Sequence, residues 1–122
     1  MTRRTYAQML SRARALLRQG RSAVLDASFT LRWQREAARR LARREGVRFL
    51  CVELRADDEL VRRRLQAREG AGGPSDADWQ VYLRQKESFQ PPDELAEDER
   101  LVLDASLPPP AMAAAVRRRL GL

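Results

Sequence analysis

The pentapeptide Val-Leu-Asp-Ala-Ser occurs twice, at Val24–Ser28 and at Val102–Ser106. Each copy closes a short apolar run and leads into a loop and a stretch of helical periodicity. A parallel α/β sheet presents acids in this way at the carboxyl edge of its strands, where such sheets bind ligands. The repeat therefore points to alternating strands and helices, and it makes Asp26 and Asp104 the first candidates for chemistry.

The rest of the chain reads in the same terms. Thr5 and Gln8 have capping-box spacing. Tyr6, Met9, Leu10, Ala13, Leu16 and Leu17 then recur at helical intervals up to Gly20, a C-terminal stop. Ser22–Asp26 reads as a strand. Thr30 or Ser28 can cap a second helix that runs to about Glu45, with Trp33, Ala37, Ala38, Leu41 and Ala42 as its buried stripe. Arg48–Leu54 is a second strand, apolar enough to be covered on both faces. Asp57 caps a third helix whose first turn holds Asp58 and Glu59, acids suited to its positive end. The glycine-rich stretch Glu69–Pro74 cannot continue any regular element. Ser75 restarts a helix anchored by Trp79, Tyr82 and Leu83, which Pro91 and Pro92 bring to an end. Arg100–Asp104 is the third strand, Pro108–Pro110 a stiff connector, and Ala111–Leu120 the last helix. The order α-β-α-β-α-α-β-α predicts an α/β three-layer sandwich with a short parallel sheet and right-handed crossovers. Residues 1–122 read as one domain, and the pentapeptide is their one internal echo.

Composition narrows the function. A hydrophobic fraction of 43% supports a folded core rather than disorder. No apolar run reaches the ~18 residues of a membrane span, and the N-terminus lacks the apolar segment of a secretory signal. One cysteine and no histidine exclude an internal disulfide and a zinc set. Cys51 reads as an inert thiol within its strand, and the expected compartment is the cytoplasm. Basic residues number 24 against 17 acidic ones, a net charge of +7. All but Lys86 are arginine, whose planar fork suits phosphate. These arginines are spread over every helix, mostly on polar faces. A solvated basic surface explains that spread better than nucleic-acid binding does, and the few aromatics read as helix packing rather than as platforms for bases.

Among individual residues, Asp26 stands where a strand gives way to a loop. Its carboxylate either holds magnesium through water, takes a proton from a substrate hydroxyl, or caps the following turn. Arg64 and Arg68 lie four apart on one helix face, just before the glycine-rich loop. They either close over transferring phosphates or belong to a solvated basic helix. Ser75 and Asp76 read as a cap.

The segment Ser22–Phe29 (SAVLDASF), with Arg35 after it, resembles the P-loop kinases. More narrowly, it is similar to the kinase-like ATP-binding domain often fused to aminoglycoside phosphotransferase-like domains; wider relatives include gluconate kinase, polynucleotide kinase and zeta-toxin-type enzymes. The likeness continues through Arg64–Arg68, the glycine-rich loop, Ser75–Ala77, Phe89–Pro92 and Leu103–Ser106. It implies ATP and magnesium as cofactors and a small hydroxyl-bearing acceptor for the γ-phosphoryl group. It also implies Asp26 as the catalytic, magnesium-linked acid, and Arg64 and Arg68 as lid arginines facing phosphates. Arg35 falls on an arginine of the next helix and is implied as a cofactor-binding residue, as are Asp104 and Ser106, which fall near the nucleotide base.

One part of the pattern is missing. No G-x-x-x-x-G-K-[ST] phosphate loop occurs, and Met1 opens where the family would already be past it. Without those amides and that lysine little holds the β- and γ-phosphates, so residues 1–122 alone are expected to bind ATP weakly and to show no kinase or ATPase turnover. In the family's sheet the phosphate-loop strand lies between the strand of Asp26 and that of Cys51. The resemblance thus implies a slot of roughly twice the ~4.8 Å strand spacing. A chain or segment supplying that strand is the expected partner, and nucleic acid and membrane are not. The rival reading is a non-catalytic basic α/β module that binds a protein or nucleic acid.

Overall fold

Helical periods and short apolar runs become an α/β fold in the computed structural model, which describes residues 2–69 and 76–122. Five α-helices are formed: α1 Arg3–Arg18, α2 Arg32–Arg44, α3 Asp58–Glu69, α4 Asp76–Ser88 and α5 Pro109–Leu120. Two strands, β1 Cys51–Arg55 and β2 Arg100–Asp104, pair in parallel, and a 3-10 turn at Glu97–Glu99 precedes β2. The chain divides into two compact units. The first is residues 1–49 with 90–94; the second is 50–89 with 95–122. The predicted cap Ser75 and the glycine-rich stretch after Glu69 lie outside the described residues.

In the first unit α1 starts earlier than its capping-box spacing suggests. Thr2, not Thr5, is the N-cap, and its hydroxyl accepts from the Thr5 amide at 3.2 Å. α1 buries Tyr6 and Ala13, seven residues apart on one face. α2 begins at Arg32 rather than at Ser28 or Thr30, and the buried Gln34 side chain accepts from the Leu31 amide at 3.1 Å. The two helices run in the same direction. Arg3 stacks over Trp33 near their starts (4.4 Å), while Arg14 and Arg18 near the end of α1 both reach Glu45 at the end of α2.

Between them, Ser22–Asp26 forms no strand, which corrects the expected third member of the sheet. The alternation that suggested it is real. Ala23 and Leu25 are half-buried while Ser22, Val24 and Asp26 are exposed, and the inward pair lines a shallow groove with Met9 and Leu16 of α1. What is missing is a neighbour. A strand exists only through its ladder, and the first unit holds no other strand among its described residues. Side-chain patterning survives without a partner; hydrogen-bonded pairing does not.

The first unit is tied together by a buried ion pair. Arg35 and Glu94 are 2% and 3% exposed, with Arg35 Nε donating to Glu94 Oε1 at 2.7 Å. Arg35 Nη1 also donates to the carbonyl of Phe29 (2.8 Å) and Nη2 to that of Gln90 (2.7 Å). One guanidinium thus holds both the turn before α2 and the returning segment 90–94. That turn includes Phe29 at φ 44°, a left-handed conformation that costs a non-glycine residue of order 1–3 kcal/mol. Its amide donates to the Tyr6 hydroxyl at 3.3 Å, so it is pinned on both sides.

In the second unit β1 and β2 pair with Leu54 opposite Leu103 and Arg55 opposite Asp104. Leu103 and Ala105 are buried, but Leu54 is 55% exposed and Val52 and Val102 are also open. Coverage on both faces, expected from the apolar run, is therefore not found. Asp57 caps α3 as predicted, its Oδ1 accepting from the Leu60 amide at 2.7 Å. Pro109 and Pro110 are not a connector but the first residues of α5, where proline's fixed φ suits a helix start and its missing N–H leaves nothing unsatisfied. Arg119 donates to the Arg100 carbonyl at 2.8 Å, which returns the end of α5 to the start of β2.

Breaking the buried pair should be costly. Arg35→Met is expected to destabilise the protein by about 3–5 kcal/mol in urea unfolding, and Arg35→Met with Glu94→Leu to recover most of that loss. Burial pushes the Glu94 carboxyl up, but the Arg35 hydrogen bonds, with the charges of Arg35 and Arg32, bring it below its ordinary value. A depressed carboxyl stabilises the fold above its ordinary pKa and stops doing so as pH falls through the folded value. The stability gap between the native chain and Glu94→Gln should accordingly narrow on acidification below about pH 4.5.

Candidate functional site

The carboxyl ends of β1 and β2 open into a groove of about 560 Å³ in the second unit. Arg55 closes β1 and Asp104 closes β2, as register partners on the groove's rim. Asp57, Leu60 and Arg63 of the α3 region and Ser106 of the β2–α5 turn complete it. Both acids face backbone. Asp57 is committed to the α3 cap, and Asp104 Oδ1 accepts from the Ser106 amide at 2.8 Å. That amide, then the Ser106 side chain, hold the Asp104 carboxyl below its ordinary value. With the carboxylates occupied, the arginines are the groups that reach outward: Arg55 is 62% exposed and only loosely paired with Glu53 at 3.5 Å. Such a rim suits a phosphate or another compact anion.

The residues singled out in the sequence fall in different places. Asp104 and Ser106 are on this rim. Arg64 joins them, because Nη2 donates to the carbonyl of Ala105, tying α3 to the turn after β2. Arg68 is exposed one helical turn further on. Asp26 and Arg35 belong to the first unit. Asp26 is exposed at the end of the unpaired segment, three residues before Phe29. Arg35, expected to bind cofactor, has its guanidinium inside the protein and committed to Phe29, Gln90 and Glu94. That is the geometry of a structural tie, and what it positions is the turn following Asp26. No sheet of three strands carries Asp26 and Asp104 on one rim, because the first pentapeptide forms no strand.

Sequence reasoning missed Arg55 and Arg63. Arg55 was legible in principle: it ends the second apolar run just as Asp104 ends the third. Arg63 was hidden in the run Arg62–Arg64, where three adjacent arginines carry no positional signal. Also missed was the clamp between α3 and α4. Asp58 Oδ1 accepts from the Tyr82 hydroxyl and from Lys86 Nζ, both at 2.8 Å, while Arg62 stacks over Trp79 at 4.5 Å. Lys86 and Tyr82 hold the Asp58 carboxyl below its ordinary value. Burial, then the Asp58 hydrogen bond and charge, push the Tyr82 phenol up.

Helices alternating with two parallel strands make this an α/β fold, and its groove lies at the strands' carboxyl ends, where folds of this class commonly bind ligands. The family model described as AAA domain matches residues 1–92, about three-quarters of the chain. The protein thus belongs to this family of P-loop kinase-like AAA domains. Asp26, Arg35, Arg64 and Arg68 lie within the matched residues, whereas β2 with Asp104 and Ser106 lies beyond them. No curated protein and no solved structure matches the chain. No helix of the described residues is long and apolar enough to cross a membrane.

The donor set can be tested against the cofactors this family implies. Among the described residues no three of His, Cys, Asp and Glu come together as a metal site. A single exposed carboxylate such as Asp26 suits a magnesium ion whose other ligands are water and phosphate oxygens, the usual habit of this ion.

Asp58→Asn removes the carboxylate that raises the Tyr82 phenol. The Tyr82 ring, followed by NMR of labelled tyrosine, is expected to titrate at a lower pH in this variant than in the native chain, nearer the ordinary value of 10.0. An unchanged titration would show that Asp58 does not clamp α4.

Proposed function

We propose that this chain is the part of a P-loop kinase-like domain that handles the transferred phosphoryl group, and that the complete catalytic unit passes the γ-phosphoryl of ATP to a small hydroxyl-bearing acceptor. The observation that carries the reading is the family match over residues 1–92. A rim of outward arginines at the carboxyl ends of β1 and β2 supports it.

In this reading Asp26 is the general base toward the acceptor hydroxyl, within reach of solvent and held in place by the pinned turn after it. Arg64 and Arg68 neutralise charge that builds on the phosphoryl oxygens, a term worth several kcal/mol where donors are preorganised. Asp104 and Ser106 stand on the nucleotide's side, with the Asp104–Ser106 turn held by Arg64. Asp26 is the residue that would hold, through water, a magnesium ion arriving with ATP, which would add charge neutralisation. The kinase acceptor needs no more than a hydroxyl.

The sequence contains no phosphate loop, and we infer that another segment or chain supplies it as a strand. The open edge of β1 supports this. Among the described residues β1 pairs with β2 alone, so its other edge has no strand beside it there. An unpaired edge of this kind is a template for strand addition.

Residues 1–122 are expected to show no ATPase or kinase turnover by themselves, and to bind ATP more tightly when joined to a strand–phosphate-loop–helix segment from a P-loop kinase. In the joined protein Asp26→Asn should lower turnover about 10²–10⁴-fold and Arg64→Ala about 10²–10³-fold. Full activity of the Asp26→Asn protein would remove Asp26 from the reaction. Turnover by pure residues 1–122, lost on Asp26→Asn, would show that no added loop is needed.

A further inference from the structure

The net charge of the chain is not shared between its two units. Residues 1–49 and 90–94 hold thirteen basic against five acidic residues, a net +8, whereas the other unit holds eleven against twelve. Arginines are indeed spread over every helix, but in the second unit acids offset them and in the first they do not.

Half of that excess, five arginines against one acid, lies at one end of the first unit. α1 and α2 run side by side in the same direction, so their carboxyl ends meet. Arg14 Nε and Arg18 Nε both lie 3.3 Å from the same oxygen, Glu45 Oε1. Arg43 and Arg44 occupy the last turn of α2, directly before Glu45, and Arg21 follows the end of α1. Arg21, Arg43 and Arg44 are exposed and have no acidic partner among the described residues. Five arginines and one glutamate therefore stand at this end of the two helices, two of the arginines paired with the glutamate. Helix dipoles favour cations at this end, but they account for one or two arginines per helix and not for a surplus of four charges.

We infer that this end of the first unit binds the phosphate backbone of a nucleic-acid duplex. Weakly hydrated guanidinium forks match phosphate oxygens bidentately, and a regular array of phosphates is the partner that answers a cluster rather than a single arginine. The absence of exposed rings selects a duplex over a single strand. Tyr6 is buried, and Phe29, Trp33 and Phe49 are half-buried, so no stacking platform is presented. The same absence argues against a bilayer, where apolar and aromatic side chains anchor a basic face. Nothing in this inference depends on the proposed phosphoryl transfer.

The test uses the whole chain and a fluorescent DNA duplex of about two helical turns, read by anisotropy across a salt series. Binding at low salt is expected to weaken steeply, with a log–log slope of about −4 for four to five neutralised phosphates. Arg43→Glu with Arg44→Glu should weaken binding at least about tenfold and flatten the slope by about two. Arg117→Glu with Arg118→Glu, an equal charge change in the last turn of α5, should stay within about twofold of the native chain. Circular dichroism of both variants reports whether the fold is kept. Equal weakening by the two pairs, tighter capture by anionic phospholipid vesicles than by the duplex, or no duplex binding at low salt would overturn the inference.

Discussion

The arrangement of the first unit depends on one buried guanidinium. Arg35 satisfies carbonyls at Phe29 and Gln90 and the carboxylate of Glu94, and so joins two stretches of chain more than fifty residues apart in sequence. A lone charge in that position would carry a desolvation penalty of several kcal/mol. The pair persists because each donor meets an acceptor and because Glu94 sits on a segment that the Thr30 carbonyl and the Gln90 side chain also hold. The strained turn at Phe29, and through it the exposed Asp26, inherits its geometry from this contact.

Period was legible in the sequence and partnership was not. The five helices, the β2 strand with its stated bounds and the Asp57 cap follow from spacing and capping chemistry. The two pentapeptides show the limit. At Val102–Ser106 the apolar run has β1 beside it and becomes a strand; at Val24–Ser28 the same residues alternate in and out without a ladder. Identical local sequence takes different structure because pairing is a property of the neighbour. Arg35 shows a related limit. It lies three and seven residues before Ala38 and Ala42 on the buried stripe of α2, a position that hydrophobic periodicity assigns to the core and residue type assigns to the surface.

The candidate site was half legible for the same reason. Asp104 stood out as a strand-ending acid, Ser106 through the family resemblance, and Arg64 as a helix arginine before the glycine-rich stretch; its contact with the turn after β2 is visible only in the fold. Arg55 and Arg63 enter only when register places β1 beside β2. The acids of the groove turn toward backbone amides, which lowers their demand for an outside cation and leaves arginine to meet a ligand.

The most direct measurement is amide chemical-shift mapping of the labelled chain during titration with ATP. If the carboxyl rim of β1 and β2 is where phosphate lodges, the largest shifts fall at Arg55–Asp57 and Asp104–Leu107 and are lost on Arg55→Ala with Arg63→Ala. Shifts confined to other surfaces, with those two turns unmoved at millimolar nucleotide, would contradict the account.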